Sequence, residues 1–238
     1  MMIGGGVLGA AALAGIVLTT MALTGGKPTP SPTATALKSP TASPKPTTPT
    51  TPAEVLSSVT TDTAQTAIAT LFPAQKPTIQ GRQYVLTAHD TDECAKGSEH
   101  GLAEALAAKN CARGYRVTYV SGPTEVTVGV FTFRDAASAS AAMKNAGSGT
   151  VTPLVAGHVT PFCQNVACQT TAAALGRYLY FTIAGPGNGK PADGTDQASL
   201  LAARDIATSV HDTLYARGKA ALAQLPTNPA APSGTAKH

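Results

Sequence analysis

The chain has 238 residues, of which 43% are hydrophobic and only 5% aromatic, with no tryptophan and a formal net charge of +4. Much of the basic excess sits at Lys27, Lys38, Lys45 and Lys237. No run of Lys and Arg interleaves with aromatic residues, so the basic balance is poor evidence for nucleic-acid binding. A core must therefore be assembled from Ala, Val, Leu and Ile, with a few Tyr and Phe as large fillers.

Residues 3–23 carry no ionisable side chain. At about 1.5 Å per helical residue they just reach across a hydrocarbon layer of about 30 Å. Thr20-Met21-Ala22 also resembles a cleavage site, so a signal peptide is the competing reading of the same segment. No cysteine adjoins it, which argues against a lipoprotein anchor. No Arg or Lys precedes Ile3, and the twin Met1-Met2 leads us to expect a basic cytoplasmic leader upstream of this start. The expectation is an uncleaved anchor with its N-terminus inside. Residues 26–53 are a Pro/Thr/Ser-rich stretch that cannot bury a core and reads as an extended stalk. The organisation expected is an anchor over 1–25, a disordered stalk over 26–53, an extracytoplasmic domain over 54–225 and a disordered tail over 226–238.

Within the domain, residues 53–72 show scattered helical spacing with crowded threonines, and Pro73 and Pro77 interrupt it. Residues 83–88 read as a first strand. Ser98 is a candidate N-cap for a helix carrying Leu102, Ala105, Leu106 and Lys109. Residues 115–120 are β-rich, Gly122-Pro123 marks a turn, and Val126, Val128 and Val130 alternate with Thr127, Gly129 and Phe131. Asp135 caps a helix that runs through Met143 to Gly147. Residues 150–160 carry no clear pattern, and strand, bend, strand is expected around Cys163 and Cys168. Residues 177–184 form a strand with side chains for both faces. Leu200, Ala203, Ala207, Val210 and Leu214 make the apolar stripe of a long helix ending at Gly218. The order predicts an α+β domain: an antiparallel sheet with helices on one face, a ferredoxin-like βαββαβ core, one extra strand and a C-terminal helix.

The four cysteines, Cys94, Cys111, Cys163 and Cys168, lie inside this domain. An even count beside an export segment reads as two disulfides, for which three connectivities exist. The local pairs Cys94–Cys111 and Cys163–Cys168 are favoured, because each brackets one structural unit. A zinc site would want a Cys-x-x-Cys pair, and there is none.

Other groups offer the letters of a chemistry without its scaffold. Residues 184–190 end in Gly189-Lys190 like a phosphate-binding loop, but Pro191 stands where a magnesium-binding hydroxyl belongs. His89-Asp90-Thr91-Asp92-Glu93 could ligate a cation, yet lacks the EF-hand pattern and reads as a solvated loop. His211-Asp212 with Ser199 and Ser209 lacks a nucleophile elbow, His158 is undetermined, and Arg204-Asp205 reads as a polar helix edge. No catalytic residue, metal ligand or cofactor is assigned on these grounds.

Gly176-Arg-Tyr-Leu-Tyr-Phe-Thr-Ile-Ala-Gly185, the Gly-Lys turn after it and Ala203-Arg-Asp-Ile-Ala207 resemble uncharacterised actinobacterial membrane-anchored proteins, which also place a cysteine on each side of the first helix. The resemblance implies a location and a class, not an activity. The function expected is non-enzymatic binding of a cell-envelope component or protein by a membrane-tethered extracytoplasmic domain. An accessory or sensory role in a membrane complex and an envelope hydrolase are the alternatives. Location is then a single-pass cell membrane protein, or a secreted one if the segment is cleaved.

Overall fold

A computed structural model describes residues 48–225. The expected anchor, almost all of the expected stalk and the expected tail lie outside them. Among the described residues no helix is long and apolar enough to cross a membrane.

The scaffold is a five-stranded antiparallel sheet in the order β3-β5-β6-β9-β8. Its strands are β3 (Val85–Asp92), β5 (Arg113–Ser121), β6 (Thr124–Thr132), β8 (Gln169–Leu175) and β9 (Tyr178–Pro186). Two short ribbons accompany it, β1 (Thr78–Ile79) with β2 (Arg82–Gln83), and β4 (Ser98–Glu99) with β7 (Thr150–Val151). The helices are α1 (Pro52–Val55), α2 (Ile68–Leu71), α3 (Gly101–Ala108), α4 (Ala136–Asn145) and α5 (Gln197–Ala223). The fold class is thus α+β with a C-terminal helix, as the element order indicates.

Two refinements are corrected. Helices cover both faces of the sheet rather than one. Val126, Val128, Val130, Tyr178, Tyr180 and Ala184 pack under α5 with α1 and α2, while Phe131, Leu179, Phe181 and Ile183 pack under α3 and α4. The cause is in the strands: β6 is buried at all nine positions, so neither of its faces can be left to water. The strand order also differs from the interleaved order of a ferredoxin-like core, because β3 and β5 are direct antiparallel neighbours. The Cys94–Cys111 disulfide holds the end of β3 and the approach to β5 with their Cα atoms 6.1 Å apart. A parallel crossover would return the chain to the far end of the sheet. The disulfide imposes reversal instead.

Both local disulfides form, Cys94–Cys111 and Cys163–Cys168, and no free cysteine is left. Cys94 and Cys111 are 17 positions apart, and closing a loop of that size stabilises by about 3 kcal/mol through the unfolded chain. The double variant Cys94→Ala/Cys111→Ala should lose about that much in urea unfolding.

Local sequence explains most element ends. Asp135 caps α4 by accepting from the Ser138 amide at 2.8 Å, and that bond holds its carboxyl below the usual range. The hairpin turn is Gly122-Pro123, with Gly122 at φ +57°. The β8–β9 turn needs Gly176, at φ +57°, because a Cβ there would meet the Leu56 carbonyl. Other ends differ from expectation. Ser98 lies in β4, and His100 is the N-cap of α3. Residues 161–168 hold no strand before Cys168. α5 runs through Gly218 to Ala223, with Gly218 admitting the close approach of Pro52.

Residues 53–72, expected to be a helix or partial helix leading from the stalk, hold two single helical turns packed on the domain. The last residues of the expected stalk belong to it too: Thr51 caps α1, and Glu54 returns bonds to the Thr50 and Thr51 amides. Val55, Leu56, Leu71 and Phe72 are buried. Tyrosine hydroxyls fasten the segment to the sheet. Tyr115 bonds Thr66 at 2.8 Å and Tyr178 bonds Asp62, while Tyr84, just ahead of β3, donates to Asp205 of α5 at 2.7 Å.

Candidate functional site

The concave feature with the most convergent polar groups is a cleft of about 650 Å³. Glu99 and His100 form one wall where β4 runs into α3. Ser148, Thr150, Thr152 and Pro153 form a second around β7, and Gln164, Asn165, Val166 and Ala167 a third on the loop closed by Cys163–Cys168. Thr170 of β8 and Ile183 of β9 complete the lining.

The walls are built to stay in place. A row of polar side chains on β5 and β6 holds the strap 152–160 that leaves β7. Arg116 donates to the Thr152 carbonyl at 3.2 Å and to its hydroxyl at 2.5 Å. Thr118 donates to the Leu154 carbonyl at 2.8 Å, and Thr127 accepts from the Leu154 amide at 3.0 Å. Glu125 Oε1 accepts from the Thr160 amide at 3.0 Å and its hydroxyl at 2.8 Å. The third wall rests on β9, where Gly185 is required: a Cβ there would stand 2.8 Å from Cys163 Sγ. His100, Cys163 and Asn165 all have positive φ, 55°, 54° and 54°, and all three line the cleft. Strained backbone of this kind persists where surrounding contacts over-determine it.

Thr150 is 8% exposed, and its hydroxyl is buried without a hydrogen-bond partner among the described residues. A lone buried hydroxyl of that kind costs about 1–3 kcal/mol. The acidic side chain of the cleft is Glu99. No Lys or Arg lines it, and its titratable side chains are Glu99 and His100, with Oε1 and Nδ1 3.8 Å apart. Arg116 lies behind Thr152, with its charge met by Asp90 at 2.6 Å. The arrangement offers hydroxyl and amide hydrogen bonds to a polar ligand without a strong field for an anion.

The groups singled out from sequence lie elsewhere. Residues 89–92 belong to β3 rather than to a loop, so their side chains alternate between faces, and Asp90 pairs with Arg116. Lys96 sits 3.7 Å from Asp92 and 3.8 Å from Glu93. Among the described residues no cluster of three His, Cys, Asp or Glu side chains could hold a metal ion. Lys190 is exposed on the turn after β9, and α5 begins only at Gln197. The amide of Ser199 at that helix start is already bonded to Asp196 at 3.1 Å. His211 and Asp212 are exposed neighbours 3.4 Å apart. Ser199 is buried against Asp196, 12 positions along the helix from His211. His158 borders a separate groove with Gln83, Val85, Leu86, Thr87, Val120 and Gly122.

Asp205 corrects the polar-edge reading of Arg204-Asp205. It is 5% exposed and takes a bidentate bond from Arg82, at 2.7 and 2.9 Å, plus the Tyr84 hydroxyl.

Asp62 is the charged group that gave no sequence signal. Its side chain is fully buried, with Arg177 at 3.0 Å, Arg217 at 2.9 Å and the Tyr178 hydroxyl around it. The two arginines are 115 and 155 positions away in sequence. The cleft residues were equally silent, since Thr, Gln and Asn in a loop are ordinary surface composition. Only the Cys163–Cys168 pair pointed at the spot. Comparison with protein-family models, with curated proteins and with solved structures finds no match.

Proposed function

We propose that the chain is a membrane-tethered, extracytoplasmic binding module that holds a neutral, hydroxyl-rich component of the cell envelope, a segment of saccharide, in the cleft beside Cys163–Cys168. The observation that carries the proposal is the lining: five neutral hydrogen-bonding side chains, Ser148, Thr152, Gln164, Asn165 and Thr170, converge on one cleft beside the buried Thr150 hydroxyl. Binding sites commonly combine a preformed concave shape with a few polar groups that fix orientation. Val166, Pro153 and Ile183 supply apolar surface for the C–H faces of a sugar ring. Glu99 sits against His100 instead of facing a second carboxylate, which favours binding over the paired-carboxylate chemistry of glycoside hydrolysis. Two disulfides are compatible with an oxidising compartment. The apolar segment 3–23 supports the tether.

Calorimetric titration of the protein with soluble neutral fragments of cell-wall glycan is the test. Saturable binding is expected, with Asn165→Ala weakening it about tenfold, the worth of one well-placed hydrogen bond. Thr150→Val separates binding from folding. Replacing an unpartnered buried hydroxyl by a methyl should leave thermal stability equal or higher, and glycan affinity should hold, because that oxygen has no accessible surface to offer a ligand. A flat titration with every fragment, or binding indifferent to Asn165→Ala, refutes the proposal.

A further inference from the structure

The two edges of the five-stranded sheet are protected to different degrees. β3 carries a register shift between Leu86 and Ala88, places His89, Asp90 and Asp92 along its length, and has its Leu86 amide bonded to the Gln75 carbonyl at 2.8 Å. Bulges, charges and a covering segment are the usual devices that stop an edge from pairing with another chain. β8 is covered only at its start, where Gln169 donates to the Ala192 and Asp193 carbonyls. Its seven residues, Gln-Thr-Thr-Ala-Ala-Ala-Leu, include no charge and no proline, and they pair with β9 in unbroken register. Among the described residues, the backbone of residues 170–175 has no hydrogen-bond partner other than β9. A groove of about 270 Å³ runs beside it, between Thr171 and Ala173 on the strand and Thr208 and His211 on α5.

We propose that β8 is a self-association edge: two copies of the chain pair β8 with β8 in antiparallel fashion, joining their sheets into one of ten strands. The occupant follows from charge and size. A two-fold axis at Ala172 sets Thr171 against Ala173 and Thr170 against Ala174, so no like charges face one another and no bulky side chains collide. The same operation applied to β3 would bring two sets of carboxylates together. A seven-residue ladder buries less than the roughly 1,200 Å² of a standard interface. An interface of that size belongs to the weak, transient class.

The test is cysteine cross-linking of the full chain in membranes of the expressing cell. Single variants Thr170→Cys, Ala172→Cys and Ala174→Cys sample one face of β8, and Thr91→Cys on β3 is the control. Opposed strand residues lie about 4.5–5.5 Å apart between Cα atoms, within disulfide reach. Mild oxidation should convert Ala172→Cys to a covalent dimer at least tenfold more than Thr91→Cys. Mass spectrometry should find the β8 peptide of that variant disulfide-linked to a second copy of itself. Ala172→Lys, which opposes two ammonium groups at the axis, should abolish dimer in sedimentation of the detergent-solubilised chain without lowering its melting temperature. Cross-linking no greater at β8 than at Thr91 overturns the proposal. So does a product whose mass shows another protein strand on β8, or an Ala172→Lys chain that still dimerises.

Discussion

Replacing Asp62 by alanine is expected to remove about 3–5 kcal/mol of stability, the cost of leaving buried charges without their counter-ion. Whole domains of this size are stable by about 5–15 kcal/mol, so the variant should be close to unfolding at ordinary temperature. The arrangement explains the severity. Asp62 has no exposed side-chain surface, and it faces two guanidinium groups whose own side chains are 8% and 11% exposed. Arg177 also donates to the Phe133 carbonyl at 3.2 Å, and Arg217 to the Gln65 carbonyl at 3.0 Å. Both cations stack over the Tyr178 ring, at 4.8 and 5.8 Å. Neither can turn out to water without giving up these bonds. Asp62→Asn keeps the shape and removes the charge, so it should fall nearly as far. Urea unfolding of the variants measures the loss, and a decrease under about 1 kcal/mol for Asp62→Ala would show that water reaches the arginines after all.

The same hub shows why the N-terminal part of the domain escaped the sequence. Residues 53–72 were expected to be helical because Val55, Val59, Ala67 and Leu71 have nearly helical spacing. Val55 and Leu71 are indeed buried, but Val59 is 40% exposed, and the segment is held by ionic and tyrosyl contacts to residues more than 45 positions away. Periodicity reports a local apolar stripe. It carries no information about a single buried aspartate.

The sheet was more legible. The alternation over residues 126–131 and 177–184 marked β6 and β9, while the large apolar side chains at both parities of β9 were at odds with the expected cover on one face. The expected strand order and the expected Cys94–Cys111 pair were incompatible with each other. A disulfide that ties the exit of one strand to the entry of the next permits an antiparallel neighbour, not a crossover, so the covalent constraint outranked the order of elements. Even so, the cleft could not be anticipated. Its walls come from four separated segments, and the side chains that hold them, Arg116, Thr118, Glu125 and Thr127, look in sequence like the solvent face of a hairpin. They are buried because the strap 152–160 lies over them.

Alkaline pH should unfold the domain before it harms the backbone, and the tyrosines set where. Burial, joined by the bond to Asp205, pushes the Tyr84 hydroxyl up to about 12, and burial alone takes Tyr119 to about 12. Tyr178 and Tyr180 are raised as well, chiefly by burial, with Asp62 adding to the first and Asp212 to the second. In the unfolded chain a tyrosine ionises near about 10. Between those values the unfolded state has released protons that the native state still holds, so unfolding is linked to proton loss and stability falls as pH rises. Below about pH 9 both states are protonated at these hydroxyls, and they impose no slope. Urea midpoints measured from about pH 8 to about pH 12 should be level as far as tyrosine is concerned, then decline steeply beyond about pH 10. Recovery on return to about pH 8 distinguishes this titration from hydroxide attack on the disulfides. Tyr119→Phe removes one of the linked protons and should make the decline shallower. Tyr84→Phe should do the same from a lower starting point, because it also strips the 2.7 Å bond from buried Asp205. Midpoints that stay level to about pH 12 would mean that these hydroxyls ionise alike in both states, and that the burial around them admits water.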